Sequence, residues 1–179
     1  MNGDDIKILS LDIGGSHIKA TVLDSNGTFL QQYKKQDTPV PSSPAKIIAV
    51  IEELASNFPE YDKVAAGFPG YVKEGVVKTA PKLGNHLWQN YDLCKSLEQT
   101  LGRPAIVIND ADLQGLSLAT GTGLEMVITL GTGFGSAIIF NGALLPHLEM
   151  SLHPITKRRT YNDYLGRRGI IENWKKKME

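Results

Sequence analysis

Two stretches of this chain share one pattern, an apolar strand, a glycine turn and a second apolar strand, and no other feature constrains the fold as much. The first runs from Ile6 to Leu23 around Gly14-Gly15, the second from Met126 to Phe140 around Gly131, Gly133 and Gly135. A unit that returns after about 115 residues suggests two related lobes, although similarity this short also arises by chance.

The intervening segments suit that arrangement. Ile6 to Asp12 and Ile18 to Leu23 stand at hairpin distance, and Asn26-Gly27, which tolerates positive φ, leads to a third strand expected over Thr28 to Tyr33. Ser43 as N-cap and Pro44 at the first helical position open a helix expected to reach about Phe58. Its Ile47, Ile48, Ile51, Leu54, Ala55 and Phe58 form the stripe of a helix lying on a sheet. A strand over Lys63 to Phe68, a loop over 69–90, a helix over Leu93 to Leu101 and a strand over Ala105 to Ile108 follow. A short helix over Leu113 to Ala119 then leads to strands Met126 to Leu130, Ser136 to Phe140 and, past the turn Asn141-Gly142, Ala143 to Leu145. Strands in a row followed by alternating helix and strand imply a mixed α/β class.

Nineteen basic residues balance nineteen acidic ones, so no overall positive field draws the chain to nucleic acid, and a small-molecule partner is expected. The single cysteine, Cys94, can form neither an internal disulfide nor a cysteine-rich zinc site. The acidic start and the lack of a long apolar run point to a cytoplasmic protein with no membrane association. The basic segment with Arg158, Arg159, Arg167, Arg168, Trp174 and Lys175 to Lys177 reads as a solvated face or a contact for a polyanion such as inorganic polyphosphate.

Four motifs can carry chemistry. In Asp12-Ile13-Gly14-Gly15-Ser16-His17-Ile18-Lys19 the glycines let amide groups approach phosphate oxygens, Ser16 and Lys19 add donors, and Asp12 can hold Mg²⁺. A plain hairpin turn with a capping Asp is the competing reading. Gly131-Thr132-Gly133-Phe134-Gly135 fits neither a dinucleotide fingerprint nor an ordinary strand, which leaves a second phosphate cradle or a β-bulge. Asn109-Asp110-Ala111-Asp112 follows a strand, where open sheets present ligand groups; one aspartate can be a general base for a sugar hydroxyl and the other a helix cap. Gly70 and Asn85, with Trp88, lie where a sugar pocket can form, although Trp88 also suits a core, and Glu149 and His153 are further polar ligand candidates.

In order and spacing, Leu11-Asp12-Ile13-Gly14-Gly15-Ser16, Gly67-Phe68-Pro69-Gly70, Asn109-Asp110-Ala111-Asp112 and Leu130 to Gly135 resemble the ROK family of sugar kinases. Asn85-His86-Leu87-Trp88, Pro146 to Glu149 and Tyr164-Leu165-Gly166-Arg167-Arg168 look like its polyphosphate glucokinase branch. The resemblance implies an actin-like, ribonuclease-H-like α/β fold and phosphoryl transfer to the 6-hydroxyl of glucose or a related hexose, from ATP or inorganic polyphosphate with Mg²⁺. By the same resemblance Asp110 is the catalytic base, and Asn109 and Glu149 bind sugar hydroxyls. Asp12, Gly14, Gly15, Ser16 and Lys19 form the first phosphate motif and Gly131 to Gly135 the second.

Departures accompany the likeness. The family's cysteine-rich zinc motif is absent, as it also is from the polyphosphate branch, and Leu152 stands where a sugar-binding histidine is expected, so that His153 alone remains. Residues 1–111 are expected to form the first lobe and 112–179 the opening hairpins of a second, with the rest of that lobe lying beyond this chain. Ile128, Ile138 and Phe140 should then be partly exposed, which predicts instability or a homodimer. A non-catalytic member that binds sugar weakly or packs with a partner is the alternative. A repressor of the family is disfavoured because no helix-turn-helix pattern precedes Ile6.

Overall fold

A computed structural model of the chain describes residues 6–131, 133–167 and 169–171. The expectations placed on Thr132, Arg168, Trp174 and Lys175 to Lys177 lie outside the described residues. The chain separates into two units, Met1–Asp110 and Ala111–Glu179.

The first unit is built on β1 (Ile8–Ile13), β2 (His17–Leu23), β3 (Lys34–Asp37), α1 (Pro44–Ala55), β4 (Lys63–Phe68), β5 (Val72–Lys73), β6 (Val76–Val77), α2 (Asn85–Trp88), β7 (Tyr91–Asp92), α3 (Leu93–Leu101) and β8 (Ala105–Asn109). Its main sheet has the order β3-β2-β1-β4-β8, antiparallel among the first three and parallel from β1 through β4 to β8. Side chains alternate across a strand, and here every second one is buried: Leu9, Leu11 and Ile13 on β1, Ile18, Ala20 and Val22 on β2, Val64, Ala66 and Phe68 on β4. They form one core with Ile47, Ile51 and Leu54 of α1 and Leu93 and Leu97 of α3. Full burial of each large aliphatic side chain favours the folded state by about 1.5–3 kcal/mol.

The bounds of β4 and α3 match expectation, and α3 has both ends marked: the Asp92 carboxylate accepts the Lys95 N–H, and Gly102 turns left-handed at φ 65°. The third strand differs. It is Lys34–Asp37 rather than Thr28 to Tyr33, where only the single bridge Leu23 to Phe29 forms and Phe29 and Tyr33 are exposed. Thr38 sets this register, its N–H donating to Ser16 O (2.9 Å) and its hydroxyl to Gly14 O (2.6 Å), so a polar segment becomes the sheet edge. α1 stops at Ala55, because Asn57 Nδ2 takes the carbonyls of Glu53 and Leu54, while Phe58 remains buried just beyond. The expected loop 69–90 contains the β5–β6 hairpin and α2, and β7 pairs with β6.

In the second unit, α4 (Asp110–Leu118), which begins at the last residue of the first unit, precedes β9 (Leu124–Leu130), β10 (Phe134–Phe140) and β11 (Ala143–Leu144). These strands form an antiparallel sheet, β11-β10-β9, and the β10–β11 turn uses Asn141 and Gly142 at φ 48° and 78°, the left-handed pair that a tight hairpin requires. α4 starts at Asp110, three residues before the expected Leu113, with no loop after β8. A short 3₁₀ turn (Met150–Leu152), the hairpin of β12 (Pro154–Thr156) and β13 (Arg159–Thr160), and α5 (Tyr161–Leu165) follow. Thr160 and Asp163 close a reciprocal capping box on α5.

Candidate functional site

Parallel pairing gathers three of the four motifs. In the β1–β4 and β4–β8 registers Asp12 lies opposite Gly67, Gly67 opposite Ile108 and Phe68 opposite Asn109. The carboxyl ends of β1, β4 and β8 therefore bring Gly14-Gly15-Ser16, Pro69-Gly70 and Asn109-Asp110 to one edge of one sheet, the edge at which open α/β sheets bind ligands.

At the end of β1 the turn is pinned from two sides. Gly14 N–H donates to His17 O (2.9 Å), and Thr38 holds Gly14 and Ser16 as described. Gly15 and Ser16 are exposed, and among the described residues their N–H groups have no hydrogen-bond partner, so two donors remain for an anion. Lys82 packs against the turn, its Cβ 3.3 Å from where a Gly15 Cβ would stand. Lys19 faces Asp12 across the β1–β2 ladder, Nζ 3.0 Å from Oδ2, with both side chains about half-exposed.

A side-chain hydrogen bond joins the other two strand ends. Asn109 is buried, and its Nδ2 donates to Gly70 O over 3.0 Å. Gly70 has to be glycine, since a Cβ there would meet Thr79 O at 2.0 Å. Asp110, the next residue, opens α4. Asn85 starts α2 with its Oδ1 accepting the Ala80 N–H. Trp88 is a core residue: it is fully buried, donates from Nε1 to Ser42 O (2.8 Å) and packs on Phe68 and Tyr91.

The second unit places the remaining candidates differently. Gly131 N–H donates to Gly133 O and Gly131 O accepts the Arg167 N–H, both over 3.0 Å, while Asn162 Oδ1 accepts the Phe134 N–H. Gly135 belongs to β10 rather than to the turn, and its missing side chain makes room for Thr129 and Ala111, whose atoms would stand 2.4 and 2.7 Å from a Cβ. His153 is exposed. Glu149 is half-buried, hydrogen-bonded by the Ser151 hydroxyl, and faces His147, which is paired in turn with Asp112 of the strand-end motif. His147 Nδ1 lies 2.8 Å from Asp112 Oδ2 and Nε2 lies 3.6 Å from Glu149 Oε2. Burial works against the imidazolium, yet the hydrogen bond with Asp112 and the charge of both carboxylates outweigh it and raise the His147 pKa to about 9. The contact with His147, an ion pair at 3.6 Å rather than a hydrogen bond, is the main cause that holds Glu149 below its usual range. Asp112 is thus a buried ion-pair partner within the first turn of α4. His147 has one sequence signal, its spacing of two from Glu149, which puts both on one side of an extended segment.

Among the described residues no helix is long and apolar enough to cross a membrane.

Comparison with known proteins adds the following. The model of the ROK family matches residues 8–146. A polyphosphate glucokinase of Mycobacterium tuberculosis is 33% identical over 147 residues, 78% of this chain and 55% of that protein. An inorganic polyphosphate/ATP-glucomannokinase from Arthrobacter sp. strain KM superposes with a TM-score of 0.83 at 32% identity, over 95% of this chain and 72% of the other. A ROK family glucokinase from Streptomyces griseus, solved with glucose and AMPPNP, gives 0.80 at 26% identity over 95% and 60%. The chain spans about half the length of the curated relatives it matches. Its mixed α/β architecture is the actin-like, ribonuclease-H-like fold of these proteins.

Proposed function

The chain belongs to the ROK family, and from that premise we propose that it serves a sugar kinase, moving a phosphoryl group from inorganic polyphosphate or ATP to the 6-hydroxyl of glucose or a similar hexose. The carrying observation is the common sheet edge at which the glycine turn after β1, Gly70 after β4 and Asn109-Asp110 after β8 meet. Phosphoryl transfer depends mostly on placing donor and acceptor and neutralising charge. In this reading the amides of Gly15 and Ser16 with Lys19 take donor oxygens, and Gly131 and Gly133 with Thr132 supply the second cradle. Asp110 accepts the proton of the attacking hydroxyl, and Asn109, Gly70, Asn85, Glu149 and His153 frame the sugar. The names of the M. tuberculosis and Arthrobacter relatives support polyphosphate as a donor.

Mg²⁺ fits the first motif. It binds through one or two carboxylates with water and substrate phosphate completing the shell, and the Asp12 carboxylate, held only by an exposed lysine pair, is accessible beside two unengaged amides. When bound, the ion would neutralise developing charge on the donor phosphate.

A coupled assay of glucose 6-phosphate formation, run with ATP and separately with polyphosphate, tests the proposal. Asp110→Asn should lower the rate about 10²–10⁴-fold. Equal rates in wild type and variant would remove Asp110 from the mechanism.

A second reading, a non-catalytic sugar-binding or interaction protein, draws on a different observation. Leu124, Met126, Ile128 and Leu130 of β9 and Phe140 of β10 are exposed, an apolar face of the kind that packs against a partner, including a second copy of the chain. Glucose binding without phosphorylation by either donor, together with a concentration-dependent mass in solution, would favour it.

A further inference from the structure

One buried pair has no part in the scheme so far. His147 is 6% exposed and Asp112 4%, and burying ionisable groups is costly unless their charges pair. An imidazolium between two carboxylates leaves one net negative charge, and the more accessible of the two acids is Glu149, with 34% of its side chain exposed. Charged groups that face the imidazole include Asp112 from α4 and Glu149 from its own segment; Ser151 closes the far oxygen of Glu149. A carboxylate that accepts hydrogen bonds from sugar hydroxyls has to be ionised and held in one orientation. All the parts of such a holder are present within the second unit.

We propose that His147 is a positioning residue for the acceptor sugar: its ring ties Glu149 to Asp112 in the first turn of α4 and so holds the Glu149 carboxylate ionised and aimed for a hexose hydroxyl. The inference rests on the sugar-binding part of the proposed function. It adds that sugar affinity and the helix that opens at Asp110 are linked through one imidazolium. It also withdraws Asp112 from competition for the acceptor proton, since its carboxylate is already engaged.

The test compares the full wild-type chain with His147→Gln, using glucose as the probe in titration calorimetry and, where turnover is present, in steady-state kinetics. His147→Gln should weaken glucose binding about tenfold or more and raise KM by more than it lowers kcat. Wild-type affinity should fall as pH rises through about 9, where the imidazolium is lost, and this alkaline limb should be missing from the variant. Wild-type affinity in His147→Gln, or an alkaline limb that survives the substitution, would overturn the inference. If the variant fails to fold, the His147 ring resonances of the wild type decide: saturating glucose should shift their titration upward, and an unchanged titration counts against the role. Glucose bound by the wild type without phosphoryl transfer removes the kinase reading and leaves the positioning role standing. No glucose binding at all removes both.

Discussion

Asp12 and Lys19 face each other across the β1–β2 ladder with Lys19 Nζ 3.0 Å from Asp12 Oδ2, at the point where β1 runs into the glycine turn. Both side chains are about half-exposed, and pairs of that kind contribute about 0–1 kcal/mol to stability. Their position beside two unengaged amides is better explained by a task than by a fold requirement. Asp12→Asn and Lys19→Met should each change the unfolding free energy by less than about 1 kcal/mol, measured by urea titration, while glucose phosphorylation falls at least about tenfold. A loss of stability that accounts for the loss of activity would make the pair structural.

The cluster around His147 makes the second unit sensitive to pH in a defined direction. The folded state holds the imidazole proton with a pKa of about 9 against an ordinary 6.5, so the contribution is whole below pH 6.5 and disappears as pH rises through 9. Glu149 has the opposite sign: its pKa is lowered from 4.5, and its contribution is present above that value and lost as pH falls through the folded one. Stability should therefore peak between about pH 4.5 and 6.5 and decline toward pH 9 by at most about 3 kcal/mol. Chemical denaturation across pH 4–10 measures it, and His147→Gln should flatten the alkaline side.

Gly115 marks where α4 meets its sheet. A Cβ at this position would stand 2.3 Å from Ala137 Cβ and 3.6 Å from Val127 Cβ, so helix and strand would have to separate. Alanine has the higher helix propensity, by about 1 kcal/mol, yet Gly115→Ala should destabilise the chain by about 1–3 kcal/mol, because overpacking outweighs propensity here. A rise in thermal midpoint would show that the contact relaxes freely.

Burial explains what was legible in the sequence. β4 and α3 could be read to the residue because Val64, Ala66, Phe68, Leu93 and Leu97 repeat with the period of the element that buries them. β3 could not, because an edge strand of Lys34, Lys35, Gln36 and Asp37 has no buried face to impose a period, and Thr38 fixes its register through contacts with a turn far upstream. The start of α4 was hidden for a related reason. Its buried first-turn residue Asp112 is polar, and a partner that suits it to the interior, His147, stands 35 positions later. The strand-end motifs were legible as candidates for chemistry, since glycine amides suit an anion and aspartate suits a proton or a cation. The His147 cluster was not, since a single histidine between carboxylates exists only in three dimensions. Gly135 carries a second task that its spacing did not reveal, since its missing side chain admits Ala111 and Thr129.

Trp88 separates sugar recognition from packing. A tryptophan that covers a sugar ring must present a face to solvent, whereas this one is fully buried between Phe68 and Tyr91, with ring centroids 4.9 and 5.6 Å away. Its indole N–H donates to Ser42 O, the carbonyl just ahead of the Ser43 N-cap of α1, so the side chain anchors the 69–90 segment to the entry of that helix. Trp88→Phe retains most of the apolar contact but leaves the Ser42 carbonyl without this donor, which should cost about 1–3 kcal/mol. Trp88→Ala also opens a cavity and should cost about 3–5 kcal/mol. Because the ring is buried in the core, the KM for glucose of the folded Trp88→Phe protein should stay within about twofold of wild type. A larger rise in KM at unchanged stability would mean that the ring reaches the sugar after all, and that α2 moves when the sugar binds.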